Sequence, residues 1–326
     1  MKIPRWWQGA SSTALLLTPL SVLYQCAARL HRAFTPSARA GAPVISVGNI
    51  VAGGAGKTPT VMALTELVKA MGYQPHILSR GYGATLPAPI KVNPKLHSAR
   101  DVGDEALLLA RAAPTWVFPK RTRSAQHAIA AGANLLLCDD ALQHHPLHKD
   151  INLLVIDGAY GTGNGKLLPA GPLRESLRSA LKRVDGIVFI GDDQHLMKAR
   201  IPPAMPVLYG DIVPVGDVGF LYEKPLIAFA GIARPEKFFA SLTQLGATIV
   251  SHHAFADHHP YSDSELQMLL NEAQHNNARL VTTEKDWVRL PTEMRKHCHS
   301  LPVALRFRQP ETVLQFLLER LPHAAR

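Results

Sequence analysis

Residues 48–60 read GNIVAGGAGKTPT, a glycine-rich run that ends in Gly56, Lys57 and Thr58. A phosphate-binding loop of the form G-x-x-x-x-G-K-[ST] would place its first glycine at position 51, which is Val51 here. Such a loop works because backbone N–H groups and a helix N-terminus converge on phosphate, lysine offsets the charge, and a threonine or serine hydroxyl faces Mg2+. Gly53, Gly54 and Gly56 supply three places for positive φ or close backbone approach. Val51 is therefore expected to move the beginning of the loop, not to abolish it. The candidate nucleotide-binding residues are Val51, Ala52, Gly53, Gly54, Ala55, Gly56, Lys57 and Thr58, and Pro59 suits the first turn of the helix that follows.

Working outward, APVISVGNI (42–50) reads as the strand before the loop, and TPTVMALTELVKAMG (58–72) as a helix closed by Gly72. Further apolar runs, PHILSR, TWVFP, NLLLCDD, INLLVID and GIVFIG, alternate with helical stretches. This alternation predicts an α/β fold: a P-loop NTPase-type, mostly parallel sheet with helices on both faces, over residues 41–210. The proline-rich RIPPAMPVLYGDIVPVGD (200–217) is expected to form the junction to a smaller second α/β domain, 211–326. In that unit PLIAFAGI, ATIVSHHAF and ARLVTTEK read as strands, while PEKFFASLTQLG and SDSELQMLLNEAQHNN read as helices. Ser262 and Glu265 have capping-box spacing.

A phosphate loop needs a partner strand ending in carboxylate to complete a Mg2+ shell. NLLLCDD supplies Asp139 and Asp140, two adjacent carboxylates that repel one another unless a cation offsets them. RDVGDEALLLA places Asp101, Asp104 and Glu105 at a helix start, where the dipole favours them, and one of the three is a candidate base for a substrate hydroxyl. Histidines gather in QHHPLHKD and SHHAFADHHP; Pro146 between His144 and His148 disfavours a helical zinc pair, whereas Asp257 is placed to orient a neighbouring His. GTGNGKLLPAGPLRES (161–176) follows a strand end, where open α/β sheets bind ligands. Lys166, Arg174 and Glu175 are candidate substrate contacts there, or simply solvated charges.

The chain of 326 residues carries a formal charge of +10, which favours an acidic partner. With 47% hydrophobic residues it can bury two cores, and three scattered cysteines suggest neither a disulfide framework nor a C-x-x-C metal site. No Asp or Glu precedes Glu66, whereas Lys2, Arg5, Arg29, Arg32 and Arg39 do, and residues 6–28 are uncharged. Within residues 1–40, Leu16, Leu20, Leu23, Ala27, Leu30 and Phe34 recur in steps of four and three. This is one apolar stripe flanked by basic residues, the pattern of a helix lying on a membrane. A spanning helix, diluted by Gln, Ser, Thr and Pro, and a helix packed on the protein's own core are the alternatives.

Taken together, GNIVAGGAGKTP, SRGYG, VGDEA, DDALQH, LPAGPLRE, FADHH and TTEKDWVRL resemble the tetraacyldisaccharide 4'-kinase family, in that family's motif order. The resemblance implies transfer of the ATP γ-phosphate to the 4'-hydroxyl of a tetraacylated glucosamine disaccharide 1-phosphate in lipid A synthesis. It also implies Mg2+, attachment by the N-terminal helix to the cytoplasmic face of the bacterial inner membrane, and no nucleic-acid or protein partner. Carried over by motif, Lys57 and Thr58 bind phosphates and Mg2+, Asp139 and Asp140 lie near the metal, and Gln143 and His144 complete that segment. Asp104 matches the proposed base, working with His258 and beside Glu105. Arg121 in FPKRT matches a phosphate arginine, with Arg123 close enough to compete, and Arg174 and Glu175 match the PLRE loop. Ala141 stands where the family often has glycine, which would strain the turn by about 1 kcal/mol if positive φ is required there. Two rival functions stay open on sequence alone: a membrane-bound nucleotide switch, and a kinase of another small hydroxylated acceptor.

Overall fold

The computed structural model describes residues 4–7, 9, 11–81 and 86–322. Lys2 of the basic arm and the second half of SRGYG lie outside the described residues.

In chain order the larger sheet takes β1 (Val44–Gly48), β2 (Pro75–Ser79), β3 (Ile90–Lys91), β4 (Thr115–Val117), β5 (Leu135–Asp139), β6 (Ile151–Asp157), β7 (Gly186–Ile190) and β8 (Val207–Pro214). The smaller sheet takes β9 (Leu226–Ala230), β10 (Ile249–Ala254), β11 (Arg279–Thr283) and β12 (Cys298–Leu301), and β13 (Val303–Phe307) returns to the larger one. The larger sheet runs β13-β8-β7-β6-β1-β5-β2-β4-β3. Only its two outermost pairings are antiparallel. The strands predicted from NLLLCDD and GIVFIG are apolar without a break because both of their faces are covered. Leu135 and Leu137 of β5 pack with Val61, Leu64 and Val68 of the helix Lys57–Ala70. Leu136 and Cys138 pack on the opposite face with Ala125 and Ala128 of the helix Arg121–Ala130.

The smaller sheet, ordered β10-β9-β11-β12 and wholly parallel, carries the helices Pro235–Gln244 and Asp263–His275. The capping box at Ser262 and Glu265 is present. Two sequence expectations need correction. The proline-rich stretch does not interrupt the larger sheet but contains β8, parallel to β7, with proline only at the strand's end. Nor does the second unit extend to residue 326: Val303 pairs with Pro214 across β13 and β8, and the helix Pro310–Leu318 buries Val313, Phe316 and Leu317 in the core of the larger sheet.

The N-terminal segment forms two helices, Ser12–Leu16 and Thr18–Ala33. No helix among the described residues is long and apolar enough to cross a membrane. The segment is moored to the 161–176 loop: Ser21 Oγ donates to the Leu167 carbonyl at 2.9 Å and Lys166 Nζ to Thr18 Oγ1 at 3.1 Å. Trp7 is buried, and its Nε1–H donates to the Pro169 carbonyl at 3.2 Å. The predicted stripe faces outward, with Leu16 80%, Leu23 66% and Phe34 82% exposed.

Candidate functional site

β1 feeds directly into the glycine loop, and the helix Lys57–Ala70 begins at its end. Val51 forms an antiparallel bridge with Leu173, its side chain is in the core, and the neighbouring Ala52 N–H donates to the Pro172 carbonyl at 2.8 Å. The start of the loop is therefore strand-like backbone, for which β-branched valine is suited. The left-handed turns come later, at Gly53 (φ +119°) and Gly56 (φ +85°). Gly54 does not have positive φ, and a Cβ there would meet no protein atom within 4 Å, so of the two reasons for glycine only close approach to phosphate can apply to it.

Sequence reading passed over Asn49, which braces this loop from below. Its Nδ2 donates to the Val51 carbonyl at 2.8 Å and lies 3.4 Å from that of Gly53, while Oδ1 accepts from Lys57 Nζ at 3.4 Å. Asn49 is fully buried, so these bonds also meet its own polar needs. The signal was present in the motif, a polar residue between an apolar strand and the glycines.

β5 lies beside β1 with Val47 opposite Asp139, which brings the carboxylate end of NLLLCDD to the loop. The two aspartates differ. Asp140 takes a left-handed φ of +46° and pairs with Arg174 Nη1 at 2.9 Å and Lys57 Nζ at 3.7 Å. Burial opposes its charge, but Lys57 and Arg174 outweigh burial and hold the carboxyl at about 2. The left-handed residue of the turn is thus Asp140 and not Ala141, so the strain expected at Ala141 does not arise; aspartate tolerates that conformation better than most residues. Asp139 is 2% exposed, and its Oδ1 has no hydrogen-bond partner among the described residues. Burial, then the charge of Glu105, push its carboxyl up to about 7.

An orphaned carboxylate oxygen at the end of the strand beside the phosphate loop fits Mg2+, as does the hard oxygen of Thr58 at the start of the loop's helix. Among the described residues no three His, Cys, Asp or Glu side chains converge as a metal cage. Mg2+ at nucleotide sites needs only one or two protein oxygens beside phosphate and water, so the donor set is sufficient.

Arg121 does not point into the cleft. It is 3% exposed, and its Nη2 donates to the carbonyls of Asp139 (2.5 Å) and Asp140 (3.0 Å), which ties the turn. Arg123 lies over the Phe118 ring, 5.4 Å from its centre, so the buried arginine at this site is Arg121. Gln143 Nε2 donates to the Asn49 carbonyl at 2.9 Å and to Glu175 at 3.0 Å, and Glu175 also pairs with Arg183. These bonds join DDALQH and PLRE to the loop. His144 is held neutral, its imidazole pushed down to about 3 by burial and then by Arg121 and Lys149.

A cleft of about 1380 Å³, its open mouth included, separates the phosphate loop from the second unit. Gly54, Lys57, Thr58 and Glu105 line one wall, and Arg234, Lys237, Asp257 and Lys285 the other. Arg234 reaches across it, with Nη2 donating to the Gly54 carbonyl at 2.7 Å and pairing with Asp157 at the end of β6; Lys237 Nζ meets the same carboxylate at 2.9 Å. Farther along, Asp104 Oδ2 accepts from His258 Nδ1 at 2.9 Å. That bond fixes the neutral ring as the Nδ1–H tautomer, so Nε2 accepts from Lys285 Nζ at 3.4 Å, and Lys285 also pairs with Glu105 at 3.1 Å. His258 adopts φ +57°, a strained backbone for a residue other than glycine. Burial would raise Asp104, but His258, Lys285 and Arg289 together hold its carboxyl at about 2. The residues singled out as Asp104 and His258, 154 positions apart, thus meet in a hydrogen bond beside the cleft, which their neighbours Glu105, Asp257 and Lys285 line.

A second cavity, of about 700 Å³, lies between the helix Thr18–Ala33 and the DDALQH and PLRE segments. Arg29, Arg32, Arg174 and Arg183 make it strongly basic.

A family model for tetraacyldisaccharide-1-P 4'-kinases matches residues 13–322. The curated tetraacyldisaccharide 4'-kinase of Rhodospirillum rubrum is 43% identical over 325 residues, covering 98% of each chain. That of Paramagnetospirillum magneticum is 44% identical over 322 residues, covering 98% of this chain and 99% of its own. The crystal structure of LpxK from Aquifex aeolicus in complex with ATP superposes with a TM-score of 0.78 at 25% identity, covering 95% of this chain and 99% of that one. With the phosphate loop, the carboxylate strand beside it and the cleft above them, these matches place the chain in the tetraacyldisaccharide-1-P 4'-kinase family.

Proposed function

We propose that the protein transfers the γ-phosphoryl group of ATP to the 4'-hydroxyl of a tetraacylated glucosamine disaccharide 1-phosphate, at the cytoplasmic face of the inner membrane. The observation that carries the chemistry is the Asp104–His258 hydrogen bond, made between the immediate neighbours of Glu105 and Asp257, which line the cleft together with the phosphate loop. Phosphoryl transfer asks for position and charge more than for covalent help. Lys57, held by Asn49 and Asp140, is aimed at the phosphates from the start of its helix. Thr58 and Asp139 would hold Mg2+, which supplies positive charge against the β- and γ-phosphate oxygens.

Asp104 accepts the acceptor's hydroxyl proton, and His258 orients the carboxylate. A carboxyl held at about 2 is a weak base, but it is always ionised, and a loose transition state calls for proton transfer only as the new P–O bond closes. The acceptor's own phosphate matches the basic cavity beside the N-terminal helix, where Arg174 connects through Asp140 to Lys57. A nucleotide switch leaves both that cavity and the Asp104–His258 pair without a role.

The test is incubation with ATP, Mg2+, detergent and the lipid disaccharide. ADP release that depends on the acceptor, with a product that carries one phosphate more than the acceptor, is expected; release indifferent to the acceptor would sink the reading.

The exposed stripe supports a place for the site on a lipid surface. Transfer of one leucine side chain out of water is worth about 1.5–3 kcal/mol, so Leu20→Ser with Leu23→Ser should weaken vesicle partition by about 10²-fold. The same double variant should raise KM for the vesicle-borne acceptor and leave ATP affinity unchanged. Unaltered sedimentation with vesicles would remove the helix from the membrane contact.

A further inference from the structure

The segment TTEKDWVRL supplies Lys285 to the cleft, and its arginine touches the candidate base. Arg289 is 9% exposed in its side chain, and its Nε lies 3.3 Å from Asp104 Oδ2, the same oxygen that accepts from His258. Its other contacts all lie in the second unit. Nε donates to the Lys285 carbonyl at 3.1 Å, Nη1 to the His259 carbonyl at 3.3 Å, and Nη2 to the Gly231 carbonyl at 2.8 Å. The Gly231 carbonyl also accepts the backbone N–H of His258, at 3.0 Å. One guanidinium therefore grips both sides of the turn that holds His258 in its left-handed conformation.

The fork is itself aimed by Asp286, whose side chain is fully buried. Asp286 Oδ1 accepts from Arg289 Nη2 at 2.6 Å, from Tyr261 Oη at 2.6 Å and from the Gly231 N–H at 2.9 Å, while Oδ2 accepts from Thr283 Oγ1 at 2.6 Å. A buried charge that removes this much freedom from its partner is costly unless every contact is met, and here each one is. Packing alone does not call for a planar five-donor group at this point; a shared anchor for Asp104 and the His258 turn does.

We infer that Arg289 is a positioning residue for phosphoryl transfer: it joins Asp104 of the first unit to the His258 turn of the second and so sets the angle at which Asp104 meets the acceptor hydroxyl. The inference rests on the reading of Asp104 as the base. Small misplacements of a reacting group cost on the order of 10²-fold in rate. Arg289 touches no part of the nucleotide-binding loop, so its loss should fall on kcat and spare KM for ATP.

The experiment introduces Arg289→Met and Arg289→Lys into the full chain and into the Asp104→Asn variant. kcat and KM are measured with ATP, Mg2+ and the lipid disaccharide, and thermal melting serves as the check on folding. In the parent, Arg289→Met should lower kcat about 10²-fold with KM for ATP within about twofold. In the Asp104→Asn background the same change should cost less than about threefold, because the group it positions has gone. Arg289→Lys, which keeps the charge and loses the fork, should recover about tenfold of the loss. An equal fold-loss in both backgrounds, or a kcat unchanged by Arg289→Met, overturns the proposal. Should Arg289→Met fail to fold, the comparison of Arg289→Lys in the two backgrounds decides by the same criterion. If Asp104→Asn alone keeps full kcat, the base assignment falls first and takes this inference with it; if Asp104→Asn is inactive and Arg289 is not coupled to it, only the role of Arg289 is lost.

Discussion

Replacing Asp104 by asparagine is expected to lower kcat by about 10³-fold, within the range that general-base catalysis contributes, while ATP affinity changes by less than about twofold. The substitution is nearly isosteric, so Oδ1 can still accept the Glu105 N–H, which it does at 2.8 Å in the parent. What changes is the side facing the second unit. An amide N–H there meets the His258 Nδ1–H and Arg289 as donor against donor, and no carboxylate remains to take a proton. Steady-state kinetics with saturating acceptor, combined with direct nucleotide titration, separate the two effects. Equal losses in kcat and in nucleotide affinity would make Asp104 a structural cap of its helix.

The same variant has a signature in stability. The Asp104 carboxyl is depressed to about 2 in the folded protein, below its ordinary value near 4 when unfolded. The charged form is therefore favoured by folding, and its stabilisation is fully present above pH ~4 and lost as pH falls toward ~2. Asp104→Asn should lower the melting temperature at pH 7, with the gap to the parent closing as the pH is taken toward 3. A constant gap across that range would mean that hydrogen bonding alone, and no charge, holds the pair.

Lys57→Met is the second change of large expected effect. A unit charge 4 Å from an anion is worth about 4 kcal/mol at an effective dielectric of 20, about 10³-fold in rate where the charge develops in the transition state. Lys57 is 8% exposed and anchored by Asn49 and Asp140, and residues 48–60 hold no other lysine to take its place. The measurement is kcat/KM for ATP at fixed acceptor, where a fall of about 10³-fold is expected. A loss below about tenfold would shift the neutralising role to the second unit, where Arg234 and Lys237 line the same cleft.

Much of the larger sheet could be read from the chain because its strands are buried on both faces, so that NLLLCDD and GIVFIG stand out as unbroken apolar runs. β13 and the helix after it could not. VALRF is half-exposed, and its partner β8 lies about 90 positions earlier, so nothing local marks the return. The site divides in the same way. Lys57, Thr58 and Asp139 sit in short motifs whose spacing has a physical meaning, whereas Asp104 and His258 stand out from their neighbours only through the family resemblance. Asn49, Arg234 and Arg289 act through partners far away in sequence, so their roles emerge only from the fold. Val51 shows the reverse lesson. As a missing glycine it looked like a fault, but its bridge to Leu173 makes the position a short extension of the strand, where the loop has no need of glycine.

The pairing of Val303 with Pro214 governs how the cleft can open. Val215 N–H donates to the Pro302 carbonyl at 3.0 Å, so the chain leaves the larger sheet and rejoins it at adjacent residues. A body inserted through two neighbouring attachment points is joined to the larger sheet by a hinge, not by a linker. His258, Lys285 and Arg289 ride on that body, and Asp104 stays behind on the other. A rotation about that hinge wide enough to release spent nucleotide would also part Asp104 from His258 and Arg289, so the proton acceptor and its supports would be assembled only while the cleft is shut.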